Sequence, residues 1–520
     1  MNAIFDQVES VAPVRMFNPD LLAIPDTLRS RHFAVADVQQ QKDLGQFLTP
    51  PHVADLMAEM FKCRDRRIRL LDAGAGMGML TTAFVRRQLM KEKPPAQIEV
   101  TAYELDSALI KGIEKTFETC RVACESKGVV FSYTIHNRDF IAEGAEMLRD
   151  DFFSATPQMF DAAIVNPPYG KLSTTSHAYQ RLRSVNAQTT NLYTAFLNII
   201  IDLLKPGGEL VAITPRSFCN GPYFKPFRRN LLRKMSFRDI HVFDSRTAAF
   251  KHDKVLQENI ILHAIKDTET PRTIRVSQSG GANGDEVQTR VFPAGEIASP
   301  DDPEAFIHIP TSERHLAARD QVCGLKATLA KLGLSISTGR VVDFRARDHL
   351  RQEPDGGTAP LIYPCHFNGL FVSWPRLPVK KPNAIENNSS TSNLLLQEGV
   401  YVLTKRFTSK EERRRVVACI YAPECVASGP VGFENHVNYI HAAGQGLDIV
   451  LAKGLWAYLN SSALDLYFRQ FNGHTQVNAT DLRNVRFPAA EQLRNMGSRI
   501  GDANLEQEQI DTIVTEELKA

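Results

Sequence analysis

The stretch LLDAGAGMG, at residues 70–78, decides the fold of this chain. The apolar residues that lead into it, Ile68–Leu71, predict a short buried strand. Its three alternating glycines let the backbone turn sharply and approach a ligand without interference from a Cβ atom. A helix is expected to follow the turn, to about Gln88. A strand, a glycine-rich turn and a helix in this order predict the start of a nucleotide-binding α/β domain.

Strands and helices alternate on both sides of this turn. Further strands are predicted at residues 98–103, 129–136, 160–165 and 210–214, and helices at residues 52–61, 107–117, 192–204 and 227–235. The first of these helices is expected to have Thr49 as its N-cap and prolines in its first turn. This alternation predicts a doubly wound, Rossmann-like α/β sheet, in which ligands bind at the carboxyl ends of the strands.

The second half of the chain has a different character. Residues 271–302 are locally rich in Ser, Gly and Asn, and we interpret them as a linker between domains. Residues 303–520 carry short segments with β-branched and aromatic residues and lack the strand–helix rhythm, which predicts a mixed α+β domain. The sequence therefore predicts two domains, residues 1–270, with a helical piece at residues 1–60, and residues 303–520.

Composition limits the class of protein. The chain has 520 residues, a formal net charge of +2 and eight cysteines, none in a C-x-x-C pair. Because a structural zinc site normally takes two close ligand pairs, no metal is expected. The longest apolar stretch, Leu197–Leu204, is too short to cross a bilayer, and the sequence has no signal-like start. We therefore expect a cytoplasmic monomer with reduced thiols and no membrane partner.

Acidic residues follow two of the other predicted strands. Glu104 ends the second strand, where a carboxylate can hold both hydroxyls of a ribose or simply be a solvated charge. Asp139 follows the third strand and can accept from an adenine amine, with Phe140 packed on the ring, or cap a helix. The glycine spacing is G-x-G-x-G, whereas pyrophosphate-binding turns use G-x-G-x-x-G. The pattern therefore favours S-adenosylmethionine over NAD.

The fourth predicted strand runs directly into Asn166-Pro167-Pro168-Tyr169. Two prolines end the strand and fix the main chain, so that the Asn166 amide oxygen and the Pro167 carbonyl can point at one place. Two fixed acceptors can take the hydrogens of a planar amine and free its lone pair for attack. Tyr169 can stack on the ring that bears the amine and stabilise the developing positive charge. A proline turn capped by Asn is the structural alternative, but the position after a cofactor turn favours catalysis.

The order of these motifs resembles the gamma-class amino-methyltransferases of bacterial restriction–modification systems. The motifs that carry the resemblance are GQFLTPP at residues 45–51, the glycine turn at residues 72–78, Glu104, Asp139-Phe140 and Asn166–Tyr169. They cover about residues 40–265, and the C-terminal half is similar more loosely. The resemblance implies methyl transfer from S-adenosylmethionine to N6 of adenine in double-stranded DNA, with a target recognition domain after the catalytic domain. It also implies a separate cognate restriction endonuclease.

The resemblance also implies residue roles. By this likeness Thr49 would bind the methionine carboxylate of the cofactor, and Glu104 would bind its ribose. The methionine pocket would be formed by Asp72, Gly74, Gly76 and Gly78, and the cofactor adenine would be bound by Asp139 and Phe140. The target amine would be activated by Asn166, Pro167, Pro168 and Tyr169. Phe250, which could also be a core residue, matches the aromatic residue that stacks on the other face of a flipped base. Flipping costs a few kcal/mol, and stacking at ~1–3 kcal/mol per ring can offset much of it.

Three segments are candidates for DNA contact. Basic residues cluster after Lys405, with Arg406 and Arg413, and again after Arg216. Such side chains can bind phosphates without sequence preference, although a solvated helix face is the alternative for any single one. The polar segment at residues 472–478 contains Gln476 and Asn478, whose amides can bind adenine edges in the major groove.

Three other functions share parts of this pattern. A glutamine methyltransferase that acts on translation release factors would use the same chemistry, but such enzymes resemble a compact domain without a long C-terminal half. An RNA adenine methyltransferase is a further alternative. A non-catalytic cofactor-binding or DNA-binding subunit is disfavoured by the intact Asn166–Tyr169.

Overall fold

The structure, a computed structural model, describes residues 21–35, 48–149, 159–185, 187, 189–244, 258–267, 269, 271–280, 287–409 and 411–519. The chain divides into two compact units. The first unit extends to Thr311, except for residues 220–222, and the second unit comprises those three residues and the chain from Ser312.

A nine-stranded sheet forms the centre of the first unit, in the order β3-β2-β1-β4-β5-β7-β6-β8-β9. The strands are β1 (Arg67–Ala73), β2 (Gln97–Tyr103), β3 (Val130–His136), β4 (Phe160–Val165), β5 (Leu204–Pro215), β6 (Met235–Phe243), β7 (Asn259–Lys266), β8 (Thr273–Ser279) and β9 (Gln288–Pro293). β3, β2, β1, β4 and β5 pair in parallel, while β7 is antiparallel to both β5 and β6.

Helices connect these strands. They are α1 (Ala23–Val35), α2 (Pro51–Met60), α3 (Met79–Leu89), α4 (Ile110–Glu125), α5 (Phe140–Met147), α6 (His177–Ser184), α7 (Leu192–Leu203), α8 (Lys225–Lys234) and α9 (Ala294–Ile297). Most of these elements lie within a few residues of their predicted positions, and the doubly wound α/β prediction is confirmed. The β4 prediction rests on a largely apolar run of residues, and every residue of β4 is buried, as an inner parallel strand requires.

The site is positioned by the point at which the strand order reverses. β2 and β3 lie on one side of β1, and β4 and β5 lie on the other. In such a sheet, ligands bind outside the carboxyl ends of the strands at this reversal. The ends of β1, β2 and β4 are followed by the glycine turn, Glu104 and Asn166 respectively, so these groups meet at one edge.

The segment predicted to be a linker, residues 271–302, contains two strands of this sheet. β8 pairs in parallel with β6, and β9 is antiparallel to β8. The division between the units comes later, at Thr311 and Ser312. Local Ser, Gly and Asn content is a property of the connection between β8 and β9, and it does not show whether the flanking residues pair with a sheet.

The second unit contains two smaller sheets. They are a six-stranded sheet, in the order β10-β20-β17-β18-β14-β13, and a five-stranded sheet, in the order β11-β15-β12-β19-β16, and residues of both sheets meet in one buried cluster. The strands are β10 (Ser335–Thr338), β11 (Leu350–Arg351), β12 (Thr358–Ile362), β13 (Phe367–Asn368), β14 (Phe371–Val372), β15 (Ala384–Glu386), β16 (Leu395–Leu396), β17 (Tyr401–Lys405), β18 (Ala418–Tyr421), β19 (Val431–Phe433) and β20 (Val437–His441).

Six helices complete the second unit. They are α10 (Glu313–Cys323), α11 (Ile449–Leu459), α12 (Ser462–Phe471), α13 (Ala479–Arg483), α14 (Ala490–Ser498) and α15 (Gln507–Lys519). The unit is therefore mixed α+β, as the sequence predicts. Among the residues described in either unit, no helix combines the length and the apolar character that crossing a membrane would take.

Candidate active site

A cavity of about 240 Å³ opens at the carboxyl ends of β1, β2 and β4. Among the residues singled out in the sequence, those that line it are Gly74, Gly76, Glu104, Asp139, Phe140, Asn166 and Pro168. A small recess continues it, sharing Gly74, Gly76 and Asn166 and adding Thr49. Tertiary structure thus brings together side chains from four separate motifs.

The glycine turn requires glycine for two reasons. Gly74, Gly76 and Gly78 all have positive φ, at 89°, 58° and 78°, where L side chains are strained. A Cβ atom on Gly76 would also lie 2.7 Å from Leu48 Cδ2. Gly78 does not line the cavity and forms the N-cap of α3, close to the Phe117 ring. The turn therefore keeps its backbone open toward the cavity and closed toward the helices behind it.

The Glu104 carboxylate bridges the turn and the end of β2. It accepts the Gly76 N–H at 2.8 Å and the Asp106 N–H at 2.9 Å. The side chain is almost completely buried, and burial raises its pKa above the ordinary value. Asn137 Nδ2 donates to the Glu104 carbonyl oxygen at 2.9 Å, which holds the strand end in place. A carboxylate fixed in this way faces the cavity directly beside the glycine turn.

Of the two interpretations of Asp139, the helix cap is a feature of the structure, and acceptance from an adenine amine stays a prediction. Its Oδ1 atom accepts the Ile141 N–H at 2.9 Å, so the residue is the N-cap of α5. The same residue lines the cavity. The next residue, Phe140, is buried, with its ring 5.2 Å from the Tyr103 ring and 5.1 Å from the Phe196 ring. One wall of the cavity is therefore aromatic, with a carboxylate at its edge.

Asn166 is held on two sides by other side chains. Its Nδ2 atom donates to Thr49 Oγ1 at 3.1 Å, and its Oδ1 atom accepts the Tyr169 hydroxyl at 3.2 Å. The predicted N-cap role of Thr49 is wrong, because α2 has Pro50 as its N-cap and no capping side chain. The hydroxyl of Thr49 instead contacts the predicted catalytic amide. Pro168 lines the cavity beside it, whereas Pro167 is buried.

Two of the predicted residues lie behind the cavity wall. Asp72 is fully buried and accepts the Thr81 Oγ1 hydrogen at 2.6 Å. Burial, with a smaller contribution from Glu104, raises the pKa of Asp72 to about 7. Tyr169 is 9% exposed, and its ring meets the Tyr193 ring edge-on at 6.4 Å. Burial raises the pKa of the Tyr169 hydroxyl well above its ordinary value, so that the group is a donor.

Known proteins are similar in sequence to this chain over nearly its whole length. It is 42% identical to Type II methyltransferase M.PstI of Providencia stuartii over 496 residues, 95% of this chain and 96% of that protein. It is 40% identical to Type II methyltransferase M.BsuBI of Bacillus subtilis, over 92% of this chain and 95% of that protein. Residues 102–250 match the family described as Eco57I restriction-modification methylase.

The chain belongs to the Type II methyltransferases of restriction–modification systems. A solved structure that it resembles is the type IIG restriction endonuclease BpuSI, with a TM-score of 0.44 and 13% identity over 95% of this chain and 67% of that one.

Several residues that line the cavity of this Type II methyltransferase and its recess were missed in the sequence, and three of them bear on ligand binding. Arg29, on α1, lines the recess beside Thr49, and its guanidinium pairs with Asp26 at 2.7 Å. Leu105 and Arg138 line the main cavity, and Leu105 is 60% exposed. An apolar residue directly after a strand-end carboxylate is a signal that could have identified Leu105. No local signal distinguishes Arg29 from other arginines on an amphipathic helix.

The two segments predicted to contact DNA in the second unit lie side by side. Phe407 and Gln476 form an antiparallel bridge, and the Val477 N–H donates to the Arg406 carbonyl oxygen at 2.8 Å. Arg415, the last residue of the basic run, is buried and donates to Asn472 and to the His474 carbonyl oxygen. A buried arginine thus fixes the polar segment against the basic one.

The predicted DNA contacts differ in accessibility. Arg413 is exposed, and Lys405, Arg406 and Gln476 are partly exposed. The Asn478 side chain caps α13 by contacting Asp481, which occupies the amide that we expected to bind a base.

Arg216, in the first unit, is 6% exposed and pairs with Glu258 at 3.5 Å. Its predicted phosphate contact is therefore not supported, because a basic run in sequence does not reveal which of its members face the core.

Two other predictions remain. Phe250 lies outside the described residues. In the part of the chain that the structure describes, no group of three His, Cys, Asp or Glu side chains could hold a metal ion, and the eight cysteines are free thiols.

Proposed function

We propose that this protein is a DNA methyltransferase that methylates the N6 amine of adenine in duplex DNA, with S-adenosylmethionine as cofactor. The observation that carries the proposal is the position of the Asn166 amide in the same cavity as the glycine turn and Glu104. The family's restriction–modification role supports the further proposal of a cognate endonuclease that acts on the same site.

The side chains of the cavity fit a nucleoside cofactor. Glu104 and Asp139 supply carboxylate acceptors, which match ribose hydroxyls and an adenine amine. Phe140 and the exposed Leu105 supply apolar surface for an adenine ring. The glycine turn, which has no side chains at Gly74 and Gly76, leaves room in the cavity for the rest of the cofactor. S-adenosylmethionine, when bound, supplies an electrophilic methyl group on a positively charged sulfur.

The recess beside the cavity fits the methionine end. Arg29 and Thr49 lie there with Gly74, Gly76 and Asn166. A guanidinium forms strong charge-assisted hydrogen bonds with a carboxylate. We therefore assign the methionine carboxylate to Arg29, with Thr49 beside it. The sequence predicted that Thr49 alone binds this carboxylate, and Arg29 adds a positive charge beside it.

Asn166 would act on the target amine. Its Oδ1 atom and the Pro167 carbonyl accept the two N6 hydrogens, which favours a nitrogen whose lone pair is free. Asn166 and Pro167 would thereby hold the N6 lone pair toward the methyl group that S-adenosylmethionine would supply when bound. The extra proton on N6 leaves afterwards, so no strong base is needed before attack.

Tyr169 would contribute in two ways. Its hydroxyl donates to Asn166 Oδ1, so an incoming amine replaces this hydrogen bond and the loop that carries the tyrosine is released from the amide. Its ring then stacks on the flipped adenine, opposite Phe250. Because the ring is buried against Tyr193, stacking requires the loop after Asn166 to move.

The second unit would bind the duplex. Its basic run presents Arg406 and Arg413, and the adjacent polar segment presents Gln476. Phosphate contacts from such arginines position a protein on DNA, and amide side chains discriminate bases in the major groove. The length of this unit is also what disfavours a glutamine methyltransferase, which would need no second domain of this kind.

One experiment separates these functions. Purified protein is incubated with radiolabelled S-adenosylmethionine and, in separate reactions, with RNA, with a release factor, or with duplex DNA that was amplified in vitro and so carries no methylated base. The expected product is N6-methyladenine in digested DNA, and its formation is lost in Asn166→Ala. Label in a release factor or in RNA, with none in DNA, would overturn the proposal. Cofactor binding by the wild type without transfer to any acceptor would favour a non-catalytic subunit.

A further inference from the structure

An exposed aromatic ring stands at the tip of an anchored turn in the second unit. The turn is Val342–Ala346, which we name the Phe344 turn, and Phe344 is 76% exposed. The N–H groups of Arg345 and Ala346 both donate to the Val342 carbonyl oxygen, at 2.9 and 3.0 Å. The ring therefore projects from a closed turn.

Both ends of the Phe344 turn are fixed to the core. Val341 and Ala346 are buried in a cluster that includes Leu361. The Val341 N–H donates to the Phe433 carbonyl oxygen at 3.0 Å. Within the turn, Asp343 accepts the Tyr363 hydroxyl at 2.8 Å. Because the backbone is held on all sides, the exposure of the ring is built into the structure of this unit.

One arginine lies beside the ring, and a second arginine follows the turn in sequence. The Arg345 guanidinium lies 5.4 Å from the centroid of the Phe344 ring. Arg345 and Arg347 are both exposed, and neither forms an ion pair with any residue that the structure describes. Asp343, which precedes the ring, is already paired with Lys381 at 2.7 Å, and the exposed Asp348 follows Arg347 in sequence. The turn thus presents the Arg345 guanidinium beside an apolar ring, and the exposed Arg347 directly follows the turn.

A second basic loop lies against this turn. Residues 374–383 (WPRLPVKKPN) contain three basic residues and no acidic one. The loop is joined to the Phe344 turn by the ion pair between Lys381 and Asp343 at 2.7 Å. Lys380 on this loop is exposed. The positive charge therefore extends over two neighbouring loops.

We propose that the Phe344 turn is a DNA-contacting element distinct from the basic run after Lys405. Phe344 inserts between stacked base pairs, while Arg345, Arg347 and Lys380 contact backbone phosphates. The inference rests on the proposed action on duplex DNA. Apolar side chains that enter a base step unstack it and distort the duplex, and flanking cations bind the phosphates on either side. A duplex offers both a flat apolar surface and a regular row of anions, which this combination fits.

The first test measures insertion without knowledge of the recognised sequence. Wild type, Phe344→Ala and Phe344→Trp are bound to a relaxed closed-circular plasmid, which is then treated with topoisomerase, and the change in linking number per bound protein is measured. Phe344→Ala should bind roughly tenfold more weakly and unwind the plasmid less, because a stacking contact is lost. Phe344→Trp should restore both. Ile449→Ala, which removes another exposed apolar side chain of this unit, is the matched control.

The second test measures phosphate contact. Arg345→Ala with Arg347→Ala should weaken binding to every duplex and lower the slope of log affinity against log salt by roughly one per arginine removed. Arg494→Ala, an exposed arginine elsewhere in this unit, should leave the slope unchanged. If both sets of variants bind and unwind DNA as the wild type does, the inference is wrong and a protein partner becomes the better explanation of the patch.

Failure of the inference is distinguishable from failure of the proposed function. If the inference alone fails, the wild type still transfers methyl groups to DNA, and the Phe344 and arginine variants bind and unwind DNA as the wild type does. In the second case the wild type itself transfers no methyl group to DNA. Cofactor binding and thermal unfolding, measured for each variant, separate a lost DNA contact from a misfolded second unit.

Discussion

The Nδ2 atom of Asn166 donates to Thr49 Oγ1 at 3.1 Å, although 117 positions separate the two residues in sequence. This hydrogen bond decides which way the amide faces, since the opposite end then presents Oδ1 to Tyr169 and the cavity. The segment before α2 and the loop after β4 are therefore one unit of the site. Thr49 can act on the target amine through Asn166, and on the cofactor through the recess that it lines.

Substitution of Thr49 separates these two roles. Thr49→Val keeps the size of the side chain and removes its hydroxyl, so the Asn166 amide loses its orientation. We expect kcat to fall about tenfold, which is the effect of losing a hydrogen bond of ordinary strength, with a small change in the dissociation constant for S-adenosylmethionine. Thr49→Ser should retain both values. A weaker cofactor affinity with unchanged kcat would instead make Thr49 a cofactor ligand only.

Arg29 should bind the methionine carboxylate. Arg29→Met removes the charge but keeps an aliphatic stem, and should weaken binding of S-adenosylmethionine about tenfold or more, because a charge-assisted hydrogen bond is lost. Binding of 5′-methylthioadenosine, which lacks the amino-acid end, should be unchanged in calorimetry. Arg31→Met, an exposed position on the same helix, is the control. Equal weakening of both ligands would show that Arg29 acts through the shape of the glycine turn.

Substitution of Glu104 should weaken the binding of both ligands, unlike substitution of Arg29. Glu104→Gln keeps the shape of the side chain but removes a carboxylate that can accept from two hydroxyls. Because both S-adenosylmethionine and 5′-methylthioadenosine contain the ribose, we expect both affinities to fall about tenfold or more. Calorimetry with the two ligands makes this comparison on the same protein sample. Loss of affinity for one ligand alone would contradict the assignment of the ribose to Glu104.

A buried histidine in the sheet predicts a pH-dependent stability. His263 contacts Glu209 Oε2 at 2.9 Å and Asp239 Oδ2 at 2.7 Å. Burial opposes protonation, but the two carboxylates outweigh it and raise the pKa of His263 above 6.5. The stabilisation from the imidazolium is therefore fully present below about pH 6.5 and is lost as pH rises through the raised pKa.

His263→Gln tests this arrangement. At pH 6.5 the free energy of unfolding should fall by about 3 kcal/mol, because the buried Glu209 loses its imidazolium partner and Asp239 keeps only Arg275. The difference from wild type should shrink toward pH 9.5, in urea unfolding followed by circular dichroism. His241→Gln is the control, since burial lowers the pKa of His241 to about 4 and its ring is neutral over this range. A His263→Gln deficit independent of pH would refute the charged state.

Two arginines of one basic run should behave differently. Arg415 is buried and fixes the segment that carries Gln476, so Arg415→Met should lower the free energy of unfolding of the second unit by about 2–3 kcal/mol. Arg413 is exposed, so Arg413→Met should leave stability within about 0.5 kcal/mol and weaken DNA binding. Unfolding curves and fluorescence anisotropy measure the two effects. Equal stability of both variants would contradict the bracing role of Arg415.

Much of the first unit could be predicted from the sequence. The strands and helices around the glycine turn follow from apolar periodicity and from glycine and proline, which restrict the backbone locally whatever surrounds them. The order of the motifs also places Glu104 and Asn166 after parallel strands, and parallel strands end at one edge. For these reasons the elements, the location of the cavity and part of its lining could be predicted from the sequence.

The tertiary structure alone decided which side chains face one another. Whether Thr49 caps a helix or contacts Asn166, and whether Arg216 is solvated or paired with Glu258, depends on segments far apart in the chain. The same holds for β8 and β9, because their local composition does not predict that they pair with the sheet. The sequence by itself determined the backbone elements and the chemical groups, because those are local properties. Burial and orientation are properties of contacts between distant segments, and only the folded chain defines them.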